Sequence, residues 1–294
     1  MPSDSCADFD SPTAGLATPA MDHEFNFSAR DFTRVRELIY QRAGISLHAG
    51  KQAMVYSRLS RRLRETGHQS FADYLQMLES RGDGHEWQEF VNCLTTNLTS
   101  FFREEHHFAE LAHELAQRRR PGLRLWCNAA STGEEPYSIA MVAAEALGTS
   151  HGMTLLATDI DTNVLATAAR GVYAADARGL SPERLRAHFL RGKGANSGFI
   201  RVKPELARSI TFRTHNLIDE RWSLGESFDI VFCRNVMIYF DQPTRERLVR
   251  RFAELLVPGG YLCIGHSESI HHGTAPFRLV GKTIYRRNAG DTHD

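Results

Sequence analysis

The sequence of 294 residues has little cysteine and no long apolar run. Its five cysteines are an odd number without a CxxC pair, which excludes a disulfide framework and favours reduced thiols. No apolar stretch approaches the roughly 18 residues of a transmembrane helix. Residues 1–24 also lack the basic start and apolar centre of a signal peptide. We therefore predict a cytoplasmic protein that does not insert into a membrane.

An excess of charge of one sign is absent as well, because 35 basic residues balance 35 acidic residues. This balance disfavours binding to nucleic acid through bulk electrostatics. The pairs His106–His107 and His271–His272 do not predict a metal site, because neighbours on a helix point about 100° apart. The segment His266–Ser269 combines residue types found in hydrolases, but the chain has no GxSxG nucleophile elbow, which disfavours hydrolysis.

Composition and periodicity divide the chain into four parts. Residues 1–24 are rich in Ser, Asp, Pro, Thr and Ala, which predicts a disordered tail. Residues 25–94 place apolar side chains at helical spacing without a strand signal, which predicts an all-α N-terminal domain. Residues 95–122 are predicted to form a linker helix that ends at Pro121 and Gly122. Residues 123–294 are predicted to form an α/β domain.

Three apolar segments of the α/β domain are typical of buried strands: Leu123–Cys127, Met153–Thr158 and Phe228–Cys233. Because strands alternate with helical segments, we predict a doubly wound parallel sheet. A terminal hairpin near residues 277–286 is expected to add an antiparallel edge.

A basic, glycine-rich stretch at about residues 177–214 interrupts this alternation. It contains two strand-like segments, Phe199–Val202 and Ile210–Arg213. Loops of this length without a role are uncommon, so we predict an inserted small β-subdomain.

The loop after the first strand, Ser131–Pro136, leads directly into a helix, as in nucleotide or nucleoside sites. Gly133 allows the backbone to approach a ligand closely. The loop lacks GxGxxG and GxxxxGK[ST], and Glu134 and Glu135 disfavour a pyrophosphate there. Two carboxylates suit a ligand with an amino group or a sulfonium, although acids also favour an ordinary helix start.

The second strand ends in Asp159 and Asp161, about 26 residues beyond Gly133. An acid near this offset binds the hydroxyls of a ribose in nucleoside sites, which implies a nucleoside ligand. The combination of a parallel sheet, an acid after the second strand and no phosphate loop is typical of methyltransferases that use S-adenosylmethionine.

Four blocks of residues, in order along the chain, resemble the chemotaxis receptor glutamate methyltransferases of the CheR family. The blocks are Thr96–Arg103, Ser131–Ser138, Asp159–Asp161 and Cys233–Phe240. The resemblance runs from about Phe32 to Arg286. It implies a Rossmann-like class I methyltransferase sheet, S-adenosylmethionine as cofactor, S-adenosylhomocysteine as product, and methylation of receptor glutamates.

The resemblance also implies site residues. Those expected to bind the cofactor are Asn97, Thr99, Arg103, Glu134, Asp159, Asn216, Leu217, Arg234 and Asn235. Glu135 is an open alternative to Glu134, because the two acids cannot be separated by chemistry alone. Arg103 and Tyr239 are the candidate catalytic residues. A guanidinium matches a carboxylate bidentately, and a phenol can orient a carboxylate oxygen or the methyl donor.

The resemblance implies that the partner is the cytoplasmic domain of transmembrane chemoreceptors. Arg58, Arg61 and Arg62 share a helix face and are candidates for docking an acidic receptor, although most such charge runs are solvated faces. The β-subdomain is expected to bind the receptor's C-terminal peptide by strand addition. We expect a monomer, and the receptor and its methylated glutamates are not specified by the sequence.

Two other readings share this fold. A non-catalytic adaptor could retain the pocket for ligand sensing, but the intact Arg103, Glu134, Asp159, Asn235 and Tyr239 favour an enzyme. A methyltransferase for small molecules or nucleic acid is disfavoured, because the chain lacks an NPPY-type motif and a strongly basic domain.

Overall fold

The computed structural model describes residues 24–81, 84–117, 122–148, 153–270 and 276–288. The predicted disordered tail therefore lies outside the described residues, apart from Glu24. Within the described part of the chain, no helix is long and apolar enough to cross a bilayer.

The helices of the described chain comprise four in the N-terminal part and six in the remainder. Their bounds are α1 Ala29–Ala43, α2 Gln52–Thr66, α3 Phe71–Arg81, α4 Gly84–Leu94, α5 His106–Gln117, α6 Glu134–Leu147, α7 Thr162–Arg170, α8 Pro182–His188, α9 Pro204–Ala207 and α10 Gln242–Leu255. Short 3₁₀ turns lie at Ala49–Lys51, Gly194–Asn196 and Met237–Tyr239.

Helices α1 to α4 enclose a separate apolar core. The amphipathic helix α1 buries Phe32, Val35 and Ile39 in it. The helix begins at a capping box in which Ser28 and Asp31 bond each other's backbone N–H groups, and it ends at Gly44. Sequence periodicity anticipated this helical part because apolar residues recur at the spacing of one helix face.

The strands form two sheets. Their bounds are β1 Leu123–Cys127, β2 Met153–Asp159, β3 Val172–Ala174, β4 Phe189–Arg191, β5 Phe199–Val202, β6 Ile210–Thr214, β7 Phe228–Cys233, β8 Leu256–Ile264, β9 Phe277–Gly281 and β10 Ile284–Arg287. The large sheet has the order β6-β2-β1-β7-β8-β10-β9. Its first five strands are parallel, and β10 and β9 are antiparallel to their neighbours. This arrangement confirms the predicted doubly wound α/β class.

Alternate residues of β1 face the two sides of the large sheet. Leu125 and Cys127 belong to the core that α5 and α6 cover, whereas Trp126 packs into the core that α10 covers through Phe252. Because β1 is buried on both faces, its sequence is an almost continuous apolar run. The described cysteines form no disulfide with one another: Cys127, Cys233 and Cys263 are buried, and Cys93 is half-buried.

The insertion differs from its predicted range of about 177–214. The small antiparallel sheet has the order β3-β5-β4 and begins at Val172, before the predicted start. Strand β6, predicted as part of the insertion, pairs with β2 in the large sheet from Leu155–Ile210 to Asp159–Thr214. The parallel register with β2 determines this assignment, and it is a long-range property that composition does not report.

The predicted linker helix at 95–122 is shorter than expected. Only His106–Gln117 is helical, and the structure describes nothing of Arg118–Pro121. Residues 95–105 instead run irregularly past the cavity described below, with φ angles of 54° at Phe102 and 60° at Glu104. These left-handed residues prevent a continuous helix.

Candidate functional site

A cavity of about 250 Å³ lies where β2, β1 and β7 end. Its walls come from three parts of the chain: the sheet's carboxyl edge, the irregular segment 95–103, and the loop between α1 and α2 at residues 45–51. This edge of an open parallel sheet, between strands whose connections run to opposite sides, is where such folds bind ligands.

The end of β2 places Asp159 in the cavity wall. Its carboxylate accepts hydrogen bonds from the backbone N–H groups of Ser131 (2.8 Å) and Asp161 (3.0 Å). Burial nevertheless raises the pKa of Asp159 to about 6. The second acid of the pair has a different role, because the Asp161 carboxylate caps the N-terminus of α7.

The loop from β1 to α6 explains why Gly133 is required. Gly133 has a φ of 100°, and a Cβ atom there would lie 2.7 Å from Tyr173 Oη and 2.9 Å from Ala168 Cβ. The Tyr173 hydroxyl donates to the Thr132 carbonyl oxygen at 2.8 Å. The close approach predicted at this glycine therefore involves α7 and the small sheet.

The two adjacent acids of the loop have different surroundings. Glu135 is buried, lines the cavity and pairs with Arg234. The Cys127 thiol also donates to Glu135, at 3.3 Å. Glu134 is half-buried, and its carboxylate accepts from the Thr132 hydroxyl at 2.6 Å. Glu135 therefore lines the cavity, whereas Glu134 is not among the lining residues, and the role of Glu134 in binding the cofactor stays a prediction.

Arg234 is a buried guanidinium held between two carboxylates. It contacts Glu135 and the Arg103 carbonyl oxygen at short distances, and Glu104 lies 3.4 Å away. Burial opposes ionisation of Glu104, but a hydrogen bond from His266 and the Arg234 charge lower the pKa of Glu104 to about 2. Arg234 thus ties the end of β7 to both the β1 loop and the segment that carries Arg103.

Asn235 is held by two acids, one of which, Glu104, also contacts Arg234. It has a φ of 57°, its side chain donates to Glu104 at 3.3 Å, and its backbone N–H donates to Glu268 at 3.0 Å. Glu268, only 7% exposed, also accepts from the N–H groups of Gly265 (2.6 Å) and Ile238 (3.3 Å). Burial raises the pKa of Glu268, although these backbone bonds oppose the rise.

The contact between β8 and the turn after β7 depends on a residue without a side chain. A Cβ atom on Gly265 would lie 2.8 Å from the Asn235 backbone nitrogen and 2.9 Å from Glu268 Oε2. Sequence reasoning noted Glu268 only within a dismissed hydrolase pattern, and it missed Glu104. The sequence signals that could have indicated them are the position of Glu268 three residues after Gly265 and the position of Glu104 directly after Arg103.

The candidate catalytic residues both line the cavity. The half-buried Arg103 donates from its guanidinium to the Leu98 carbonyl oxygen at 2.9 Å. Tyr239 is half-buried, and its carbonyl oxygen accepts from the Ser46 N–H at 2.8 Å. The two residues belong to different segments of the wall, so the fold brings together groups separated by 136 positions in the printed sequence.

The other predicted cofactor residues also lie in the cavity wall. The buried Leu217 supplies an apolar surface, and Thr99 lies on the irregular segment. The Asn97 amide donates to Asp161 at 2.8 Å, and the Asn216 amide donates to the Arg42 carbonyl oxygen at 2.8 Å. In this structure both amides therefore form hydrogen bonds within the protein: Asn97 links the irregular segment to the start of α7, and Asn216 links the loop after β6 to α1.

The three predicted docking arginines of α2 are not equivalent. Arg58 donates to the Thr95 carbonyl oxygen at 2.6 Å, and Arg62 is paired with the buried Glu86. Only Arg61 projects freely, with 73% of its side chain exposed and an ion pair to Glu65. The positive face predicted from helical spacing is therefore largely engaged within the protein.

The histidine pair His106–His107 lies close enough to Glu104 for the three side chains to be considered as metal ligands. Glu104, His106 and His107 bring one ligand atom each within 4.8 Å, and the two rings lie 4.1 Å apart. Burial and the Arg234 charge lower the pKa of His107 to about 3. Arg234 already supplies a cation beside Glu104, which disfavours a metal ion there. The second pair lies outside the described residues.

The polar groups of the wall suit a nucleoside that also carries positive charge. Asp159 offers an acceptor for hydroxyls, Glu135 adds a second carboxylate, and Ile160 and Leu217 offer apolar contact for a base. No cluster of backbone N–H groups and lysine is present in the described loop to hold phosphates. This donor set fits S-adenosylmethionine, whose ribose, sulfonium and amino acid group need these partners.

Comparison with known proteins agrees with this chemistry. The family described as "CheR methyltransferase, SAM binding domain" matches residues 97–286, and "CheR methyltransferase, all-alpha domain" matches residues 30–95. The chain is 50% identical over 275 residues to a chemotaxis protein methyltransferase of Klebsiella aerogenes, covering 92% of this chain and 94% of the relative.

Two further relatives show the same extent of similarity. A chemotaxis protein methyltransferase of Escherichia coli is 49% identical over 267 residues, covering 90% of this chain and 93% of the relative. Chemotaxis protein methyltransferase 2 of Pseudomonas aeruginosa is 49% identical over 279 residues, covering 93% and 99%. The chain therefore belongs to the CheR family of S-adenosylmethionine-dependent chemotaxis methyltransferases.

Proposed function

We propose that the enzyme transfers the methyl group of S-adenosylmethionine to glutamate side chains of chemoreceptors, giving methyl esters that serve sensory adaptation. The observation that carries this proposal is the position of Arg103 in the cavity wall. Among the described residues its guanidinium has no ion-pair partner, and its one hydrogen bond goes to a carbonyl oxygen. Arg103 can therefore receive a carboxylate next to the cofactor.

The reaction requires alignment more than acid–base catalysis. Glutamate titrates near about 4.3, so the nucleophilic carboxylate is already ionised at neutral pH. The cofactor supplies a methyl group activated by a positive sulfur. Arg103 binds the carboxylate of the substrate glutamate. Tyr239 orients one oxygen of that carboxylate, and its ring excludes water. A carboxylate held too tightly would lose nucleophilicity, which favours a half-exposed guanidinium over a buried one.

Two surfaces support an acidic protein substrate and its peptide. Arg61 is the exposed one of the three arginines predicted for docking and is the first candidate for this role. The small sheet exposes hydrophobic side chains on both outer strands, with Val172 on β3 and Leu190 on β4. Either edge could extend by strand addition with a receptor's C-terminal peptide. We propose that the enzyme makes these contacts with the receptor's cytoplasmic domain. We also propose that it acts as a monomer in the cytoplasm.

The test is transfer of radiolabelled methyl groups to chemoreceptors in membranes, scored by release of the label in base. Wild type is compared with Arg103→Ala and with Arg250→Ala, which changes an exposed arginine of α10. We expect base-labile label with wild type and Arg250→Ala, and at least a hundredfold lower kcat with Arg103→Ala. Base-stable label would contradict a carboxyl ester.

The same assay separates the enzyme from a non-catalytic adaptor. An adaptor would bind S-adenosylmethionine but transfer no label to receptors from any membrane preparation. The free guanidinium of Arg103 beside the cavity favours the enzyme, because an adaptor has no need for an unpaired cation at that place.

A further inference from the structure

Asn128 is a buried amide without an ordinary hydrogen-bond partner. It directly follows β1, is 3% exposed and lines the cavity. Neither its side-chain oxygen nor its side-chain nitrogen has a hydrogen-bond partner in the structure. Its backbone N–H, in contrast, donates to the Phe232 carbonyl oxygen at 3.0 Å, so the residue's position is fixed.

The neighbouring thiol does not satisfy this amide. Burial raises the pKa of Cys233, and the Asn128 side chain opposes the rise, so the two groups lie close together. A thiol is only a weak hydrogen-bonding group. Leaving a buried amide unpaired is energetically costly, and buried polar groups in native proteins are rarely left without a partner.

The order of the strands indicates which part of the cofactor lies at Asn128. Strand β1 stands between β2, which ends at Asp159, and β7, which leads to Arg234. If the ribose lies at Asp159 and the base lies beside Leu217 after β6, as predicted, the atoms attached to the ribose 5′ carbon would lie on the opposite side, toward β7. These atoms are the sulfur and the amino acid chain of S-adenosylmethionine. The amide of Asn128 would then lie beside the methionine half of the cofactor.

We propose that Asn128 is a cofactor-binding residue whose amide oxygen accepts a hydrogen bond from the ammonium group of that methionine half. The carboxylates nearby reinforce this choice, because Glu135 and Asp159 line the same cavity. A neutral amide next to them adds an acceptor without adding a further buried charge.

The test compares binding with stability in the full-length chain. Calorimetry with Asn128→Ala measures the affinities of S-adenosylmethionine, S-adenosylhomocysteine and methylthioadenosine, which lacks the amino acid group. We expect both amino acid ligands to bind about tenfold more weakly, and methylthioadenosine to bind as it does to wild type. The melting temperature without ligand should not fall, because the substitution removes an unsatisfied polar group.

Asn92→Ala is the matched control. Asn92 is 9% exposed, and its amide is bonded to Gln88 at 2.8 Å and to the Thr162 hydroxyl at 3.0 Å. This variant should lower the melting temperature and leave all three affinities unchanged. The proposal is overturned if Asn128→Ala keeps wild-type affinity for S-adenosylhomocysteine, or if it weakens methylthioadenosine equally.

Discussion

Asp159 shows how one buried carboxylate links cofactor binding to pH. Its pKa of about 6 in the folded chain lies above the ordinary value of about 3.9. Between about pH 4 and 6 the folded chain therefore holds this proton more tightly than the unfolded chain. Protonation of Asp159 in this window therefore contributes stability to the cofactor-free protein as the pH falls, but it also removes the ionised acceptor that the ribose hydroxyls need.

We expect the dissociation constant of S-adenosylmethionine to be constant above about pH 7. Below about pH 6 it should rise about tenfold per pH unit. Calorimetric titrations from pH 5 to 8 measure this profile. Asp159→Asn serves as the control and should bind weakly at every pH without an inflection. A flat profile for wild type would contradict the ribose role of Asp159.

Glu268 is a buried acid that acts through its neighbours. In Glu268→Gln one carboxylate oxygen is replaced by an NH₂ group. This group cannot accept the hydrogen bonds that backbone N–H groups donate to the wild-type carboxylate. The turn carrying Asn235 should loosen, so we expect severalfold weaker cofactor binding and a lower melting temperature. Glu86→Gln, equally 7% exposed but in the helical part, should lower only the melting temperature. Wild-type affinity in Glu268→Gln would show that the turn holds without it.

At the scale of elements, helix α2 carries two kinds of arginine: one that is paired with an acid inside the protein and one that is exposed to solvent. Arg62 bridges α2 to α4 through Glu86, which also accepts from the Tyr74 hydroxyl at 2.8 Å. Arg61 lies on the outer face of the same helix. A double charge reversal at Arg61 and Arg62 would therefore confound docking with folding.

The single variants should separate these roles. Arg62→Ala removes one partner of a largely buried pair, and we expect it to lower the free energy of unfolding by about 3 kcal/mol. Arg61→Glu should change that free energy by less than about 0.5 kcal/mol and raise the KM for receptor. Urea denaturation and receptor methylation kinetics provide the two measurements. Equal destabilisation by both variants would contradict this division.

The sequence predicts individual elements of this protein better than their long-range partners. Strands β1, β2 and β7 are apolar runs, and their bounds follow from local pattern alone. The membership of β6 in the large sheet depends on pairing with a strand more than fifty residues earlier. Likewise, helical spacing places Arg62 on a face, but only the fold brings Glu86 to it. The site residues came from motif resemblance, whereas the acids that hold Arg234 and Asn235 emerged from geometry.

At the scale of the whole molecule, the helical part closes over the sheet. Tyr40 donates to Asp241 at 2.7 Å, and Gln88 donates to the Ile160 carbonyl oxygen at 2.8 Å. The loop at residues 45–51 contributes to the cavity wall, and Ser46 bonds the Tyr239 carbonyl oxygen. A ligand in the cavity therefore contacts both parts of the chain.

Cofactor binding should protect both parts together. At a concentration a hundredfold above its dissociation constant, the cofactor should add about 2.7 kcal/mol to the free energy of unfolding. Hydrogen exchange should slow at residues 45–51 as well as at the strand ends, with α3 as an unchanged control. Slowing at the strand ends alone would show that the helical part does not contribute to binding.

The burial of the cysteines has a practical consequence for spectroscopy. Burial raises the pKa of Cys93, Cys127 and Cys233, and it raises that of Cys263 to about 12. Because the thiolate is the reactive form, these sulfurs should resist alkylating dyes. With Cys6, which lies outside the described residues, replaced by serine, a cysteine at the 82% exposed Leu98 would take a single fluorophore. The enzyme could then report receptor encounters at the mouth of its own cavity.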